Sequence, residues 1–339
     1  MISSHLNLIM SMAYIIFIVY LANSRTIDLT MEARYEQWIT QHKRVYRSAA
    51  EKARRFSIFK ANVEYIESAN AKPDRKYRLA VNRFADLTNE EFGSTLNAYL
   101  ERSLRRNYET FRYGNVTDVP DEMDWRRLDA VTPIKSQESC GSCWAFSAVA
   151  ATEGINKIKT GNLISLSEQE LIDCDVNGRD HGCRGGTTNG AFSFIVKNGG
   201  ITMDTNYPYA AVDGTCDKEK AATYNAAATI RGYESVPSNS ELSLMKAAAN
   251  QPVSVLIDAS GMDFAFYSGG VFMGVCGTHL NHAVTVVGYG TDYDGTSYWL
   301  VKNSWGKHWG EEGYMRMQRN IEAKEGLCGI AMFPIFPIA

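Results

Sequence analysis

Residues 137–144 read QESCGSCW, and from Cys143 onward the sequence CWAFSAVAATEGINKI (143–158) has the apolar spacing of a helix that Thr160-Gly161 would end. Cys143 therefore lies in the first turn of a predicted helix. The unpartnered N–H groups and the positive end of the helix dipole at that place stabilise a thiolate, which lowers the pKa of a thiol from about 8.5. The stretch predicts a reactive cysteine on a helical scaffold.

Two later segments contain the residues that such a thiol requires, namely a base and a group that orients the base. His282 opens a predicted strand 139 residues after Cys143, and Asn303 ends another predicted strand 21 residues later. In this interpretation the histidine takes the thiol proton and then protonates the leaving amine, while the asparagine holds the ring in position. Gln137 directs its side-chain amide at the developing oxyanion, beside the N–H of Cys143.

The seven cysteines all lie at or after residue 140. An odd number fits three disulfides plus one working thiol in an oxidising compartment, and seven reduced cysteines in a cytosolic protein are the alternative. A redox pair of Cys140 and Cys143 is disfavoured because no βαβ unit surrounds it. Zinc is disfavoured because Cys174 and Cys183, with eight residues between them, do not form a second closely spaced pair. We therefore expect no metal and no cofactor.

The first 24 residues predict the compartment. They contain no Asp, Glu, Lys or Arg, and residues 13–21 (AYIIFIVYL) are nearly all apolar. The run is short for a membrane span and is followed by small residues, which predicts a signal peptide cleaved after Ser24; a retained anchor is the alternative. We expect a secretory protein of the vacuole, the lysosome or the cell exterior, with no membrane attachment once the signal is removed.

The charge of the chain is small overall but uneven. The formal net charge is −3, which gives no reason to expect nucleic acid as a partner. Residues 25–118 contain 18 Lys and Arg against 13 Asp and Glu (+5), whereas residues 119–339 contain 17 against 25 (−8). The opposite signs predict that these two parts bind each other.

The first part is predicted to form an amphipathic helix over residues 34–70, uninterrupted by Pro or Gly, and then a strand over residues 76–85. Residues after about 96 are polar and irregular, as in an exposed linker that is open to cleavage. This linker contains Asn115 in an Asn-Val-Thr sequence, a candidate glycosylation site. Within the helix, six residues spaced three or four apart share one face: Glu51, Arg55, Phe59, Asn62, Ile66 and Asn70.

From about residue 230 the sequence changes to short β-branched runs at 253–257, 283–289 and 298–302, bounded by Gly and Asn. Helical patterns therefore precede strand patterns, which predicts an α+β protein.

Taken together, these motifs resemble the papain family of cysteine proteases. Residues 137–144 match the sequence around that family's nucleophile, and the six-residue helix face matches its inhibitory propeptide signature. Ala80-x-Asn82-x-Phe84-x-Asp86 matches the second propeptide signature except at Ala80, where the family usually has Gly. Residues 163–174 (LISLSEQELIDC) are most similar to plant members, including senescence-associated ones.

The resemblance implies a papain-like fold of two lobes, one mainly helical and one a β-barrel, preceded by a helical propeptide domain. The expected organisation is a signal peptide at 1–24, an inhibitory propeptide at 25–118, the helical lobe at 119–229 and the β-barrel lobe at 230–339. Glu138 stands where the family often has Gly, and we expect its carboxylate to face water at the rim of the cleft.

The resemblance also implies the pairing of the cysteines and the residues that bind substrate. The expected disulfides are Cys140–Cys183, Cys174–Cys216 and Cys276–Cys328. The pocket for the side chain just before the scissile residue is expected to be lined by Thr187, Thr188, Leu256, Leu280, Ala283 and Phe333, with Gly185 and Gly186 beside it. Because none of these is acidic and Phe333 shortens the pocket, we expect apolar side chains such as Val, Leu or Pro to be preferred over Arg.

The activity implied is hydrolysis of protein and peptide substrates by a monomeric endopeptidase, made as a zymogen that its own propeptide inhibits in cis. Cystatin-type inhibitors are a further candidate partner. Acid is expected to release the propeptide by protonating carboxylates of residues 119–339 below about pH 5, together with Asp86, for which a solvated surface position is the alternative. The competing hypothesis is a catalytically inactive relative with a binding or structural role.

Overall fold

The computed structural model describes residues 30–96, 111–176, 178, 180–222 and 226–339. The predicted signal peptide and most of the predicted linker lie outside these residues. Two compact units are distinguished, Met1–Lys60 and Ala61–Ala339. Within the described residues, no helix is both long and apolar enough to cross a membrane.

The first unit contains helix α1 (Met31–Gln41) and the beginning of α2 (Ala49–Asn70). The prediction of one continuous helix over 34–70 is wrong, because the chain leaves the helical path after Gln41 and Lys43 adopts a φ of 51°. The second helix begins where the Ser48 hydroxyl accepts from the N–H of Glu51, while the Glu51 carboxylate accepts from the N–H of Arg47. A serine followed three residues later by glutamate is a sequence signal for this start.

Residues 61–96 of the second unit form a folded segment around the end of α2, strand β1 (Tyr77–Leu79) and helix α3 (Asn89–Gly93). Asn62 donates to the carbonyls of Ala85 and Leu87, and Asn70 donates to the carbonyl of Leu79. The predicted strand over 76–85 is therefore shorter than expected. After Leu79 the chain leaves the strand. The N–H of Ala80 donates to the carbonyl of Phe266, just before β5, and the side chain of Asn62 satisfies the carbonyls of the turn that follows.

Three helices between residues 143 and 197 share one apolar core. They are α4 (Cys143–Thr160), α5 (Glu168–Cys174) and α6 (Thr188–Lys197), with a 3₁₀ turn at Gly182–Arg184 between α5 and α6. Trp144, Ala148, Leu171 and Phe192 lie in the same buried cluster. The predicted helix over 143–158 is confirmed with two further residues, and it ends at Gly161, whose φ of 79° suits a left-handed helix cap.

The remaining strands are β2 (Met123–Asp124), β3 (Gly232–Ser235), β4 (Val253–Ile257), β5 (Tyr267–Phe272), β6 (His282–Thr291), β7 (Ser297–Lys302), β8 (Tyr314–Gln318) and β9 (Ile335–Ile338), with helices α7 (Glu241–Ala248) and α8 (Met262–Ala265) and a 3₁₀ turn at Leu327–Gly329. Within the described residues the sheet order is β1-β5-β8-β7-β6-β4-β9-β3, and β2 also pairs with β6. Neighbouring strands are antiparallel except for β5 and β8, which are parallel.

The three β-branched runs at 253–257, 283–289 and 298–302 are confirmed as strands β4, β6 and β7. The sheet nevertheless includes more than residues 230–339. Strand β2 joins it from the start of the preceding region, and β1 joins it from residues 77–79, next to β5.

Candidate active site

Cys143 is the first residue of helix α4 and is fully buried. The preceding Ser142 does not cap the helix with its side chain; its hydroxyl instead shares a 2.9 Å hydrogen bond with Tyr209. Disulfides join Cys140 to Cys183, Cys174 to Cys216 and Cys276 to Cys328. Among the described residues Cys143 is the cysteine that stays a thiol, at a helix N-terminus that favours its ionised form.

The imidazole of His282 is oriented by Asn303. The Asn303 Oδ1 accepts from the backbone N–H of Ser304 at 2.8 Å, so this atom is the amide oxygen. The ring Nε2 lies 2.8 Å from the same oxygen and must therefore donate its proton there. Nδ1 is then the basic nitrogen of the neutral ring, and it is buried without a hydrogen-bond partner among the described residues.

Helix α4 and strand β6 bring the thiol and the imidazole to the same place. Ser147, one helical turn after Cys143, donates to the carbonyl of Val284 at 2.7 Å, and Thr285 donates to the carbonyl of Ser147 at 3.2 Å. Cys143 itself packs in a cluster that includes Ala283, the residue after His282. The start of the helix therefore lies against the start of the strand.

Gln137 is buried beside this pair with both ends of its amide fixed. Its Oε1 accepts from the Ser304 hydroxyl at 2.6 Å, and its Nε2 donates to the carbonyl of Cys140 at 2.9 Å. The second hydrogen of Nε2 has no role in these bonds. The side chain is thus held in one orientation with one N–H still available for a new oxyanion.

The predicted substrate pocket falls into two groups in the structure. Leu256, Leu280, Ala283 and Phe333 pack in one cluster with Cys143. Gly185, Gly186, Thr187 and Thr188 lie instead at the turn into helix α6.

The conformation and close packing of the turn before α6 require glycine at residues 185 and 186. Gly185 has a φ of 112°, a conformation that other residues rarely adopt, and a Cβ at Gly186 would lie 2.6 Å from the ring of Trp144. Thr187 donates to Asp180 from its N–H at 2.6 Å. The close approach to Trp144 places this turn beside Cys143.

Comparisons with known proteins address the identity of this arrangement. Residues 119–338 match the papain family of cysteine proteases, and residues 35–92 match the cathepsin propeptide inhibitor domain. The chain belongs to the papain family. This enzyme is a cysteine endopeptidase with an inhibitory propeptide.

Individual relatives cover both parts of this protease. The senescence-specific cysteine protease SAG39 of Oryza sativa subsp. indica is 55% identical over 324 residues, covering 95% of this chain and 94% of that protein. The proform of the Amb a 11 cysteine protease, a ragweed pollen allergen, is 46% identical with a TM-score of 0.83, covering 91% of this chain and 92% of that one. The bromelain protease of Ananas comosus in complex with the E64 inhibitor is 48% identical with a TM-score of 0.62, covering 65% of this chain and 99% of that one.

A buried group of charged side chains under the active site of this protease was missed by the sequence analysis. Lys135 lies 3.0 Å from Glu153 and 2.8 Å from Glu168, and Lys302 donates to the carbonyl and hydroxyl of Thr132. We call Lys135, Glu153, Glu168 and Lys302 the charge cluster. Glu153 stands within the apolar run of helix α4, and a charged residue at that place was the sequence signal that could have revealed the charge cluster.

Burial and neighbouring charges together set the pKa values of the two glutamates in the charge cluster and of His282. For Glu168 burial outweighs the nearby ammonium of Lys135 and raises the pKa to about 7. For Glu153 burial is outweighed by Lys135 and Lys302, which lower its pKa. Burial also lowers the pKa of His282 to about 4, against the hydrogen bond with Asn303.

Residues 61–96, which we call the propeptide segment, contact two carboxylates of the region after residue 119, and both carboxylates remain charged in mild acid. Asp263 accepts from Tyr65 at 2.6 Å and pairs with Arg75 at 3.1 Å. Its burial is outweighed by these hydrogen bonds, which lower its pKa, and a hydrogen bond from Lys76 lowers the pKa of Asp294 to about 2. Neither group therefore accounts for the release predicted below about pH 5.

Asp86 is 3% exposed, so the alternative of a solvated surface position is wrong. Within the described residues, no group of three or more His, Cys, Asp or Glu could hold a metal ion.

Proposed function

We propose that Cys143, His282, Asn303 and Gln137 catalyse peptide-bond hydrolysis in this endopeptidase. The observation that carries the proposal is the orientation of His282. Its Nε2–H is committed to Asn303, and its basic Nδ1 is left in a buried site beside the segment that carries Cys143. A ring held in this tautomer can take a proton only at Nδ1.

The chemistry follows from these positions. Nδ1 of His282 takes the thiol proton of Cys143, and the sulfur attacks the substrate carbonyl carbon. The oxygen that becomes negative accepts from the free N–H of Gln137 and from the backbone N–H of Cys143. The imidazolium then protonates the departing amine, and water hydrolyses the remaining thioester by the same route in reverse.

The low pKa of His282 supports inhibition by the propeptide. A buried ring whose pKa is about 4 is neutral at pH 7, so the ion pair of thiolate and imidazolium is disfavoured while the site is covered. Phe84 and Phe92 of the propeptide segment pack on Trp305, whose ring is stacked on His282 at 4.6 Å between centroids. Removal of the two phenylalanine rings uncovers Trp305, which brings water nearer to His282 and favours the charged pair.

The pocket supports a preference for apolar side chains before the scissile residue. Leu256, Leu280 and Ala283 form its apolar wall together with Phe333. A guanidinium placed there would be buried without a counter-charge. Profiling with a peptide library should give Val, Leu or Pro at this position, and Phe333→Ala should extend acceptance to Phe and Tyr; a dominant preference for Arg would contradict this pocket.

We place the enzyme in the secretory pathway, in the vacuole, the lysosome or the cell exterior, with the processed form beginning near Val119. The four predicted segments, 1–24, 25–118, 119–229 and 230–339, are part of this proposal. Three disulfides and the exposed position of Asn115 in its glycosylation sequence support an oxidising compartment.

Labelling of the thiol tests the catalytic assignment. Proenzyme processed at pH 4 to 5 should hydrolyse peptides and react with an epoxide thiol reagent at Cys143, located by mass spectrometry of the digested protein. Intact proenzyme at pH 7 should react far more slowly, and Cys143→Ala should carry no adduct. An inactive relative would show neither turnover nor selective labelling.

A further inference from the structure

Arg83 and Phe84 of the propeptide segment cover a surface next to the catalytic residues. Arg83 donates to the carbonyl of Glu138 at 2.6 Å and to the hydroxyl of Ser136 at 3.1 Å, and it lies 3.4 Å from the Glu138 carboxylate. Phe84 packs edge-on against Trp305 with ring centroids 5.2 Å apart. One guanidinium and one apolar ring thus occupy adjacent positions on the protease.

This surface lies on the side of the scissile bond that the leaving amine occupies. His282 protonates that amine, and Trp305 is stacked on the ring of His282. The apolar pocket wall of Leu256 and Phe333 packs against Cys143 and serves the acyl side. Trp305 and Glu138 are therefore available to residues that follow the scissile bond.

Glu138 is suited to hold a cation here. Its side chain is 61% exposed, and its φ of 52° is a conformation that non-glycine residues adopt rarely. In that conformation its carbonyl and its carboxylate both contact the same guanidinium. Glu138 also follows Gln137, whose own position is fixed by Ser304 and Cys140, so the cation site has a fixed place relative to the oxyanion.

We propose that, once the propeptide is removed, Glu138 binds an Arg or Lys side chain at one of the first two substrate residues after the scissile bond. Arg83 occupies this position in the proenzyme. The inference rests on the proposed catalytic site and extends it to the leaving-group side of the substrate. The proposal gives a function to the carboxylate of Glu138, which stands at a backbone position that suits glycine.

Peptides with one common apolar acyl part test the proposal. Each carries Arg, Gln or Glu at the first or the second residue after the cleaved bond, and kcat/KM is measured with acid-processed enzyme. We expect the Arg peptide to be cleaved about fivefold better than the Gln peptide at one of the two positions, as for an exposed ion pair. The ratio should fall towards one as salt is raised.

Variants of Glu138 separate charge from backbone. Glu138→Gln keeps the side-chain shape, and Glu138→Gly suits the left-handed conformation. Both should lower the Arg-to-Gln ratio clearly, although the carbonyl of residue 138 and the hydroxyl of Ser136 remain as acceptors, while Glu138→Lys should favour the Glu peptide. Glu122→Gln is the matched control. It removes a similarly exposed carboxylate far from the site. The neighbouring Met123 pairs with β6 at Tyr289, roughly 20 Å along the strand from His282, so this variant should keep the wild-type ratio.

The outcomes distinguish the two levels of the proposal. Turnover of all peptides with a ratio of one in the wild-type enzyme, or a fivefold ratio that survives in Glu138→Gln, overturns the role of Glu138 and leaves the catalytic site intact. Absence of turnover with every peptide overturns both.

Discussion

Two buried polar regions meet around Asn303 and Ser304, and they differ in how their polar atoms are satisfied. In the catalytic pair, Nδ1 of His282 and Nδ2 of Asn303 are buried without a hydrogen-bond partner among the described residues. In the charge cluster, Lys135 contacts two carboxylates and Lys302 contacts Thr132. A cavity of about 20 Å³, lined by residues of both regions, lies between them.

This difference between the two regions predicts which of them affects the reaction rate and which affects the stability of the fold. A buried atom without a partner costs folding free energy, but at Nδ1 it leaves a nitrogen able to accept a proton. In the charge cluster each charge faces an opposite one, so losing one partner leaves another buried charge uncompensated. Substitutions in the first region should therefore reduce rate, and substitutions in the second should reduce stability.

The largest effect is expected for Cys143→Ala. Because no other group can replace the thiolate, kcat/KM should fall by roughly 10⁶-fold, while the free energy of unfolding stays close to that of the parent. Peptide hydrolysis and urea denaturation measure the two quantities. The variant proenzyme should also remain uncut at pH 4 to 5 until active enzyme is added, and near-normal turnover would refute the site.

Glu153→Ala should have the opposite profile. Removing this partner of Lys135 and Lys302 should lower the free energy of unfolding by about 3–5 kcal/mol, measured in a Cys143→Ala background so that self-digestion cannot interfere. Glu122→Ala, at an exposed carboxylate, is the control and should change stability by less than about 0.5 kcal/mol. Equal effects of the two substitutions would remove the distinction between the regions.

Gln137→Ala should reduce kcat by about 10²-fold, or about 2.7 kcal/mol of transition-state stabilisation, if it is one of two oxyanion donors. Its stability should change much less than that of Glu153→Ala. Ser304→Ala sharpens the comparison, since it frees the amide of Gln137 to rotate and should lower kcat with little change in KM. A loss confined to KM would show that Gln137 binds substrate without stabilising the oxyanion.

The last effect concerns pH and is confined to the range between pH 4.5 and 7. Because the pKa of Glu168 is raised to about 7 in the folded enzyme from 4.5, its contribution to stability is present below pH 4.5 and is lost as pH rises to 7. Glu168→Gln should gain up to about 3 kcal/mol relative to its parent over this range. His282, whose pKa is lowered, makes stability rise with pH, so the free energy of unfolding of variant and parent should be compared at each pH. A difference that stays constant would show that Glu168 does not titrate in this range.

The sequence was a good guide where function requires particular residues at fixed spacings. The proposed catalytic residues and helix α4 belong to local motifs, and strands β4, β6 and β7 follow from continuous β-branched runs. It was a poor guide where distant side chains replace local pairing. Asn62 and Asn70 bond the backbone of residues 79–87, which shortens the predicted strand, and the charge cluster depends on contacts between Thr132, Glu153 and Lys302 that no local pattern contains.

Strand β1 also has a consequence for the protease after processing. In the proenzyme Tyr77–Leu79 pairs with β5, so removal of the propeptide leaves the outer N–H and C=O groups of β5 open to another chain, which is a known route to aggregation. The exposed edge is short and irregular, because Gly270 has a φ of 83° and the register shifts between Gly269 and Tyr267. Gly269 and Gly270 thereby limit the length over which a strand from another molecule can pair with β5. The processed enzyme can therefore lose its inhibitor without gaining an edge strand that is prone to aggregation.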